Sequence, residues 1–377
     1  MSSHCLAIVI LARLFSFHAV TLQRFALFLA TFSLLSTLSK TIRSSDNDSS
    51  HYLDSTRIEI INEIQGHLFN EQYRSADSVA QRLITIYPKD PAGYCFRAAT
   101  LLNEMFDCEE NLYADRFKAL NDSVETLAKQ MKKGATGERA AWMCLWIGHA
   151  KAHRALWESK FGSSPRAARL GLLAGGEYRE GLSFDSTAVD IYAGLGAFHY
   201  WKSEKAGLLR MIRIFNDDRE KGIAQLYRAV REATLSRSAA RHALAWIYVN
   251  EEQPDSVLVI CNELRTQYPL GKVFLWPMAT ATLKSGRYDE ALSVFSQLQS
   301  RFYSEPGNYF NLIECDYQMF RCQSALGQED DAEITALRVS TYDRRIPEKT
   351  RTRQGGKLRE MTRYLSERSS SVTAGAP

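Results

Sequence analysis

The feature that most constrains this chain is a recurring frame, clearest in the second half. A Tyr or turn residue opens it. A small residue follows at +3, an apolar one at +7, a small or apolar one at +10, and often Pro at +15. Tyr73 opens one copy, with Ala76, Ala80, Leu83 and Pro88. Pro254 opens another with Val257, Cys261, Leu264 and Pro269, and Tyr288 a third with Ala291, Phe295 and Leu298. Arg219 opens a degenerate copy with Gly222, Leu226 and Ala229, so starts at 219, 254 and 288 lie 35 and 34 residues apart. Glu329, with Ala332 and Ala336, follows after 41, and Gly171, Ala174, Tyr178, Gly181 and Leu182 suggest a sixth copy.

Offsets +3, +7 and +10 share one face of an α-helix. The small residue at +3 lets this second helix of a unit approach the first. Proline at +15 cannot continue a helix and ends the unit. Gly286 and Gly327 fall in turns where a positive φ is cheap. Few apolar runs alternate with period two, which argues against strands. The expected fold is therefore all-α: stacked antiparallel helix pairs over 54–342, about six of them, some degenerate. The helices of 109–161 exceed the usual unit, and Ser203 to Asp218 reads as an insertion carrying Leu208, Met211, Ile214 and Phe215.

These residues resemble the tetratricopeptide-repeat family. Leu195-Gly196 matches the family's first-helix pair, Leu244-Ala245 is its common variant, and Tyr248 matches the first-helix aromatic. The segment Asp217 to Ile223 is also similar to a Gly-Asp-Arg-x-x-Gly-Leu signature of larger repeat proteins, some associated with the mitochondrial outer membrane. The resemblance implies a right-handed α-solenoid and a non-enzymatic scaffold that takes a peptide or helix of a partner protein in a concave groove. Carried over position by position, the groove residues are Tyr200, Trp201, His242, Trp246, Asn250, Trp276, Lys284, Tyr317 and Arg321. Aromatic side chains anchor many interfaces.

Residues 1–39 read as a signal peptide or membrane anchor. No Asp or Glu occurs in 1–45, and Phe25 to Leu38 is an uncharged apolar run. Export or membrane association follows (periplasm or cell envelope in a bacterium), with a mitochondrial transit peptide as the alternative. Residues 40–53 read as a flexible linker. The formal net charge is +4. Most of the excess lies in the basic segment 343–377, which looks helical through Arg368 and then disordered. No basic face on the body argues for nucleic acid.

Little points to catalysis. Gly171, Gly175, Gly176 and Gly181 cluster without the Lys-Ser/Thr of a phosphate loop, and no G-x-S-x-G elbow occurs. None of the seven cysteines forms a C-x-x-C pair. They read as small core residues, with a disulfide or two open to an exported chain. His149 and His153 share a helical face and are the one candidate metal pair, though a partly exposed structural pair is the plainer reading. Asp190 is expected in a first helical turn, favoured by the helix dipole. No cofactor is expected. A second functional expectation is a membrane-associated factor touching lipid through 203–218.

Overall fold

The computed structural model describes residues 51–206, 216–305 and 307–374, with side chains through 370. Among these residues there are fifteen α-helices and no strand. They are α1 (Ser55–Phe69), α2 (Tyr73–Ile86), α3 (Pro91–Asp107), α4 (Ala114–Lys132), α5 (Gly137–Phe161), α6 (Ser164–Phe184), α7 (Ile191–Ala206) and α8 (Arg219–Glu232). Then come α9 (Arg237–Asn250), α10 (Pro254–Gln267), α11 (Leu275–Lys284), α12 (Tyr288–Tyr303), α13 (Tyr309–Ala325), α14 (Glu329–Tyr342) and α15 (Glu348–Ala374). Consecutive helices pack in pairs, as the repeat frame predicts. The sequence places helices over 109–133 and 271–285. The structure shortens the first to Ala114–Lys132 and gives Lys272–Phe274 to a 3-10 turn before α11.

Local chemistry sets the boundaries. Asp54 caps α1, accepting from the Arg57 amide at 2.8 Å. Asp90 caps α3 through the Ala92 amide at 2.8 Å, with Pro91 as the first helical residue. The turns after Phe69, Asn250, Lys284 and Ala325 share one geometry. Residues 71, 252, 286 and 327 take φ of 58°, 54°, 72° and 72°. The next amide then bonds the carbonyl five residues back: Gln72 to His67 at 2.8 Å, and Gln253 to Tyr248, Arg287 to Thr282 and Gln328 to Gln323 at 2.9 Å each. Two of the four φ-positive residues are glutamates, Glu71 and Glu252, at a cost of about 1 kcal/mol each over glycine.

The chain divides into two compact units. The first comprises residues through Phe106, Asn111–Ile247 and Thr266–Leu270. Its core includes Ile61, Ile64, Leu83, Phe96, Trp146 and Tyr178. Residues 40–50 of the expected linker lie outside the described residues, but its end is not a linker. Tyr52 is buried, donating from its hydroxyl to Asp90 at 2.6 Å and accepting from Trp146 Nε1 at 2.9 Å. The pair α7·α8 shows what the small position does. A Cβ on Gly196 would lie 2.7 Å from the Gly222 carbonyl oxygen, and one on Gly222 would lie 2.6 Å from the Gly196 oxygen, so the two backbones touch. Residues 207–215 of the insertion are outside the described residues. Its ends are joined: Ser203 Oγ donates to the His199 carbonyl and accepts from the Asp218 amide, both at 2.8 Å.

The second unit comprises Asp107–Glu110, Tyr248–Arg265 and residues from Gly271 on. Val257, Cys261, Leu264, Ala291, Phe295, Leu298, Ala332 and Ala336 all fill its core, which places the repeat frame on the packed face. The C-terminal segment departs from expectation. It forms α15, which packs on α13 and α14 and continues to Ala374, through residues read as disordered. Its basic side chains find carboxylates within the chain. Arg353 pairs with Glu109 at 2.7 Å and Arg351 with Asp343 at 2.8 Å, Lys357 bonds Glu314, and Arg368 bonds Asp330. Part of the positive run is thus neutralised in place.

Candidate functional site

The residues carried over as a groove separate by burial. Tyr200 and His242 are 0% exposed, Trp246 1% and Trp276 4%. These four are core groups. Trp246 Nε1 donates to His242 Nε2 at 3.1 Å, and the Trp276 ring packs against Phe295 and Phe302 at 6.5 and 5.8 Å. A partner cannot reach them without opening the unit, so truncating Trp246 or Trp276 would test stability rather than binding. The other five reach solvent. Trp201 belongs to the first unit and Asn250, Lys284, Tyr317 and Arg321 to the second. Lys284 Nζ donates to the Val249 carbonyl at 3.2 Å, Tyr317 OH donates to Glu360 at 2.8 Å, and the Arg321 guanidinium lies 5.8 Å from the Tyr317 ring.

Trp201 faces a groove where α5, α6 and α7 meet, with a volume of about 160 Å³. The floor is Tyr178. Its ring sits between two glycines: a Cβ on Gly148 would lie 2.4 Å from it and one on Gly194 2.6 Å. Beyond the ring the walls combine small residues, Ala152 and Ala155 from α5, Gly171 from α6 and Ala197 from α7, with the larger Leu156, Leu172 and Phe198. Lys202 and Lys205 are the charged residues of the lining, which has no Asp or Glu among the described residues. Lys202 bonds Asp218. Lys205 lies 5.5 Å from the Trp201 ring centroid, and burial draws its ammonium pKa down. In the sequence Gly171 opens a sixth repeat copy and joins a glycine cluster without a phosphate loop's Lys-Ser/Thr; in the structure it lies inside α6, on the groove wall, rather than at a helix start. The usable signal was the density of Ala and Gly in 167–176, which marks a helix face with little bulk.

His149 and His153 are not the partly exposed pair expected. Both are buried, at 3% and 2%, with rings stacked 6.2 Å apart. His149 Nδ1 and the Tyr178 hydroxyl lie 2.9 Å apart. Burial, and then the proximity of His153, hold the His149 pKa well below its ordinary value. Asp190 is likewise buried, and it sits in the turn just before α7 rather than in a first helical turn. It accepts from the Thr234, Leu235 and Ser236 amides at 3.1, 2.8 and 2.8 Å, fixing the entry to α9. Cys144, Glu177 and Glu180 bring ligand atoms within 4.8 Å of one another. Lys132 pairs with Glu180 at 2.6 Å and Lys151 with Glu177, so the cluster reads as an ion-pair network. Cys95, Cys144, Cys261 and Cys322 are buried thiols, with Cys322 raised by burial to about 11. They act as core residues.

Compared with known proteins, the chain matches no protein-family model and no curated protein. Among the described residues no helix is long and apolar enough to cross a membrane.

Proposed function

We propose that this chain is a non-enzymatic scaffold of the tetratricopeptide-repeat type, a right-handed solenoid of about six helix pairs that binds a peptide or helix of a partner protein. The observation that carries the reading is the recurring turn at 71, 252, 286 and 327. It has one backbone geometry and one hydrogen-bond pattern at four places, each between two consecutive helices. Recurrence of a supersecondary unit, with its small residues buried at matching offsets, is how repeat arrays are built. Such arrays leave a series of first-helix side chains for a partner. Here the accessible ones are Trp201, Asn250, Lys284, Tyr317 and Arg321. We place the scaffold outside the cytoplasm or at a membrane, carried there by residues 1–39. That segment lies outside the described residues, and its support is the acid-free composition and the apolar run from Phe25 to Leu38.

The test is a quantitative affinity capture with the full chain and a Lys284→Glu/Arg321→Glu double variant. Both side chains reach solvent on first helices of the second unit, and although Lys284 gives up its bond to the Val249 carbonyl, the variant is expected to stay folded, which its unfolding temperature checks first. A protein retained by the wild type and depleted about tenfold or more with the variant supports the reading. Equal retention of every captured protein by both removes the assignment of this surface.

A further inference from the structure

We propose that the groove between α5, α6 and α7 is a binding site for an anionic amphiphile, an aliphatic chain ending in a carboxylate, with the chain on the small-residue walls and the carboxylate at Lys205. Three observations converge on this ligand class. The groove is apolar. Ala152, Ala155 and Ala197, with Leu156 and Phe198, are among its walls and Trp201 stands beside them, so its surface has little to offer a polar chain. Its volume, about 160 Å³, is near that of a cavity known to take a benzene ring, enough for a short alkyl segment.

The charge is one-sided. Two lysines line the groove and no Asp or Glu does, among the described residues. Lys202 already has Asp218. Lys205 has the face of Trp201 as its neighbour, and no carboxylate among the described residues lies within 4.0 Å of its ammonium. Burial disfavours its charged form, and the Glu204 carboxylate, beyond 4.0 Å, offsets this only in part, so no carboxylate among the described residues makes direct contact with it. An incoming carboxylate supplies the direct contact that Glu204 does not. A tail in the groove removes apolar surface from water at the same time. Each half of the ligand answers a different deficit, which is why the class is an amphiphile rather than a simple anion or a neutral hydrocarbon. The site lies within the first unit and does not depend on the partner surface of the second.

The experiment is calorimetric titration of the full chain with octanoate and, separately, with octan-1-ol, which shares the tail and lacks the charge. Two variants divide the contributions. Lys205→Met keeps the apolar stem and removes the charge. Gly171→Leu places bulk in the groove, and a Cβ at Gly171 meets nothing within 4 Å. Octanoate is expected to bind the wild type at least about tenfold more tightly than the alcohol. Lys205→Met should remove that preference and leave the alcohol within about twofold. Gly171→Leu should weaken both ligands about tenfold or more, with an unchanged unfolding temperature showing that the fold is intact. The proposal is overturned if octanoate does not bind the wild type, or if it binds both variants as tightly as the wild type.

Discussion

Gly196→Ala is the sharpest test of how the helix pairs are built. A methyl group at this position lies 2.7 Å from the Gly222 carbonyl oxygen, 2.9 Å from Leu226 Cγ and 3.1 Å from the Leu226 amide nitrogen. Ordinary contact begins near 3.4 Å. The first neighbour is backbone, which cannot swing aside as a side-chain tip does. Helices α7 and α8 must therefore part by roughly 0.7 Å, loosening a close-packed contact. Two terms oppose each other. Alanine is favoured over glycine inside a helix by about 1 kcal/mol. Overpacking a filled interface costs about 1–3 kcal/mol, and a rigid neighbour puts this site at the upper end. The net expectation is a loss of about 1–2 kcal/mol. Gly176→Ala, in α6, is the control. Its Cβ meets nothing within 4 Å, so only the helix term acts, and a gain of about 0.5–1 kcal/mol follows. Urea unfolding followed by tryptophan fluorescence reads both. The Gly196 variant should unfold at a midpoint roughly 0.5 M lower and the Gly176 variant somewhat above wild type. A Gly196→Ala midpoint at or above that of the wild type would refute the backbone-contact reasoning.

Two further outcomes are expected. Tyr52→Phe should cost about 1–3 kcal/mol in the same assay, because the buried Trp146 N–H and Asp90 carboxylate each lose a partner; a change below about 0.5 kcal/mol would return Tyr52 to the linker. Burial is the largest influence on Asp316, raising its pKa from 3.8 to about 6 against the opposing effects of Tyr342 and Arg338. A carboxyl raised on folding contributes stability that is full below pH 4 and lost as pH rises through 6, so Asp316→Asn should flatten that part of the stability–pH curve. A curve unchanged between pH 4 and 6 would contradict the assignment.

The helix pairs were legible because their signals are local. A small residue at +3, glycine in the turn and proline after the unit act within one unit, and the copies opening at Tyr73, Arg219, Pro254, Tyr288 and Glu329 each begin a helix, whereas Gly171 of the sixth copy lies inside α6. The binding face was less legible, because a first-helix aromatic can face a partner or a neighbouring helix with the same spacing. Trp246 and Trp276 are core, yet Trp201 reaches a groove. Only the packing partner separates the cases, and that partner lies far away in sequence: Trp276 meets Phe302 across the next helix of its unit. The C-terminal segment misled for the same reason. A run of Arg and Lys reads as a solvated or partner-seeking helix until its carboxylates appear, and Glu109 pairs with Arg353 across 244 residues. Tyr52 was assigned to the linker by the polar stretch before it, although its hydroxyl is committed to residues on two other segments.

Why a groove opens at α5, α6 and α7, and not at α7 and α8, follows from one side chain. Both places bring small residues face to face, and small residues on facing helices have two outcomes: the helices close up, or a void remains. At α7 and α8 they close until Gly196 and Gly222 touch. At the other site Tyr178 prevents closure. Its ring fills the space between Gly148 and Gly194, and its hydroxyl meets buried His149, so at that level the spacing of the three helices is set by the thickness of an aromatic ring. One to two turns further along α5 and α7, and earlier along α6, the lining includes Ala152, Ala155, Ala197 and Gly171, which cannot span a gap of that width, and Leu156, Leu172 and Phe198 border the space they leave. The groove is therefore a consequence of a spacer placed beside a stretch of minimal side chains. Lys205 lies where that stretch ends, at the C-terminal turn of α7.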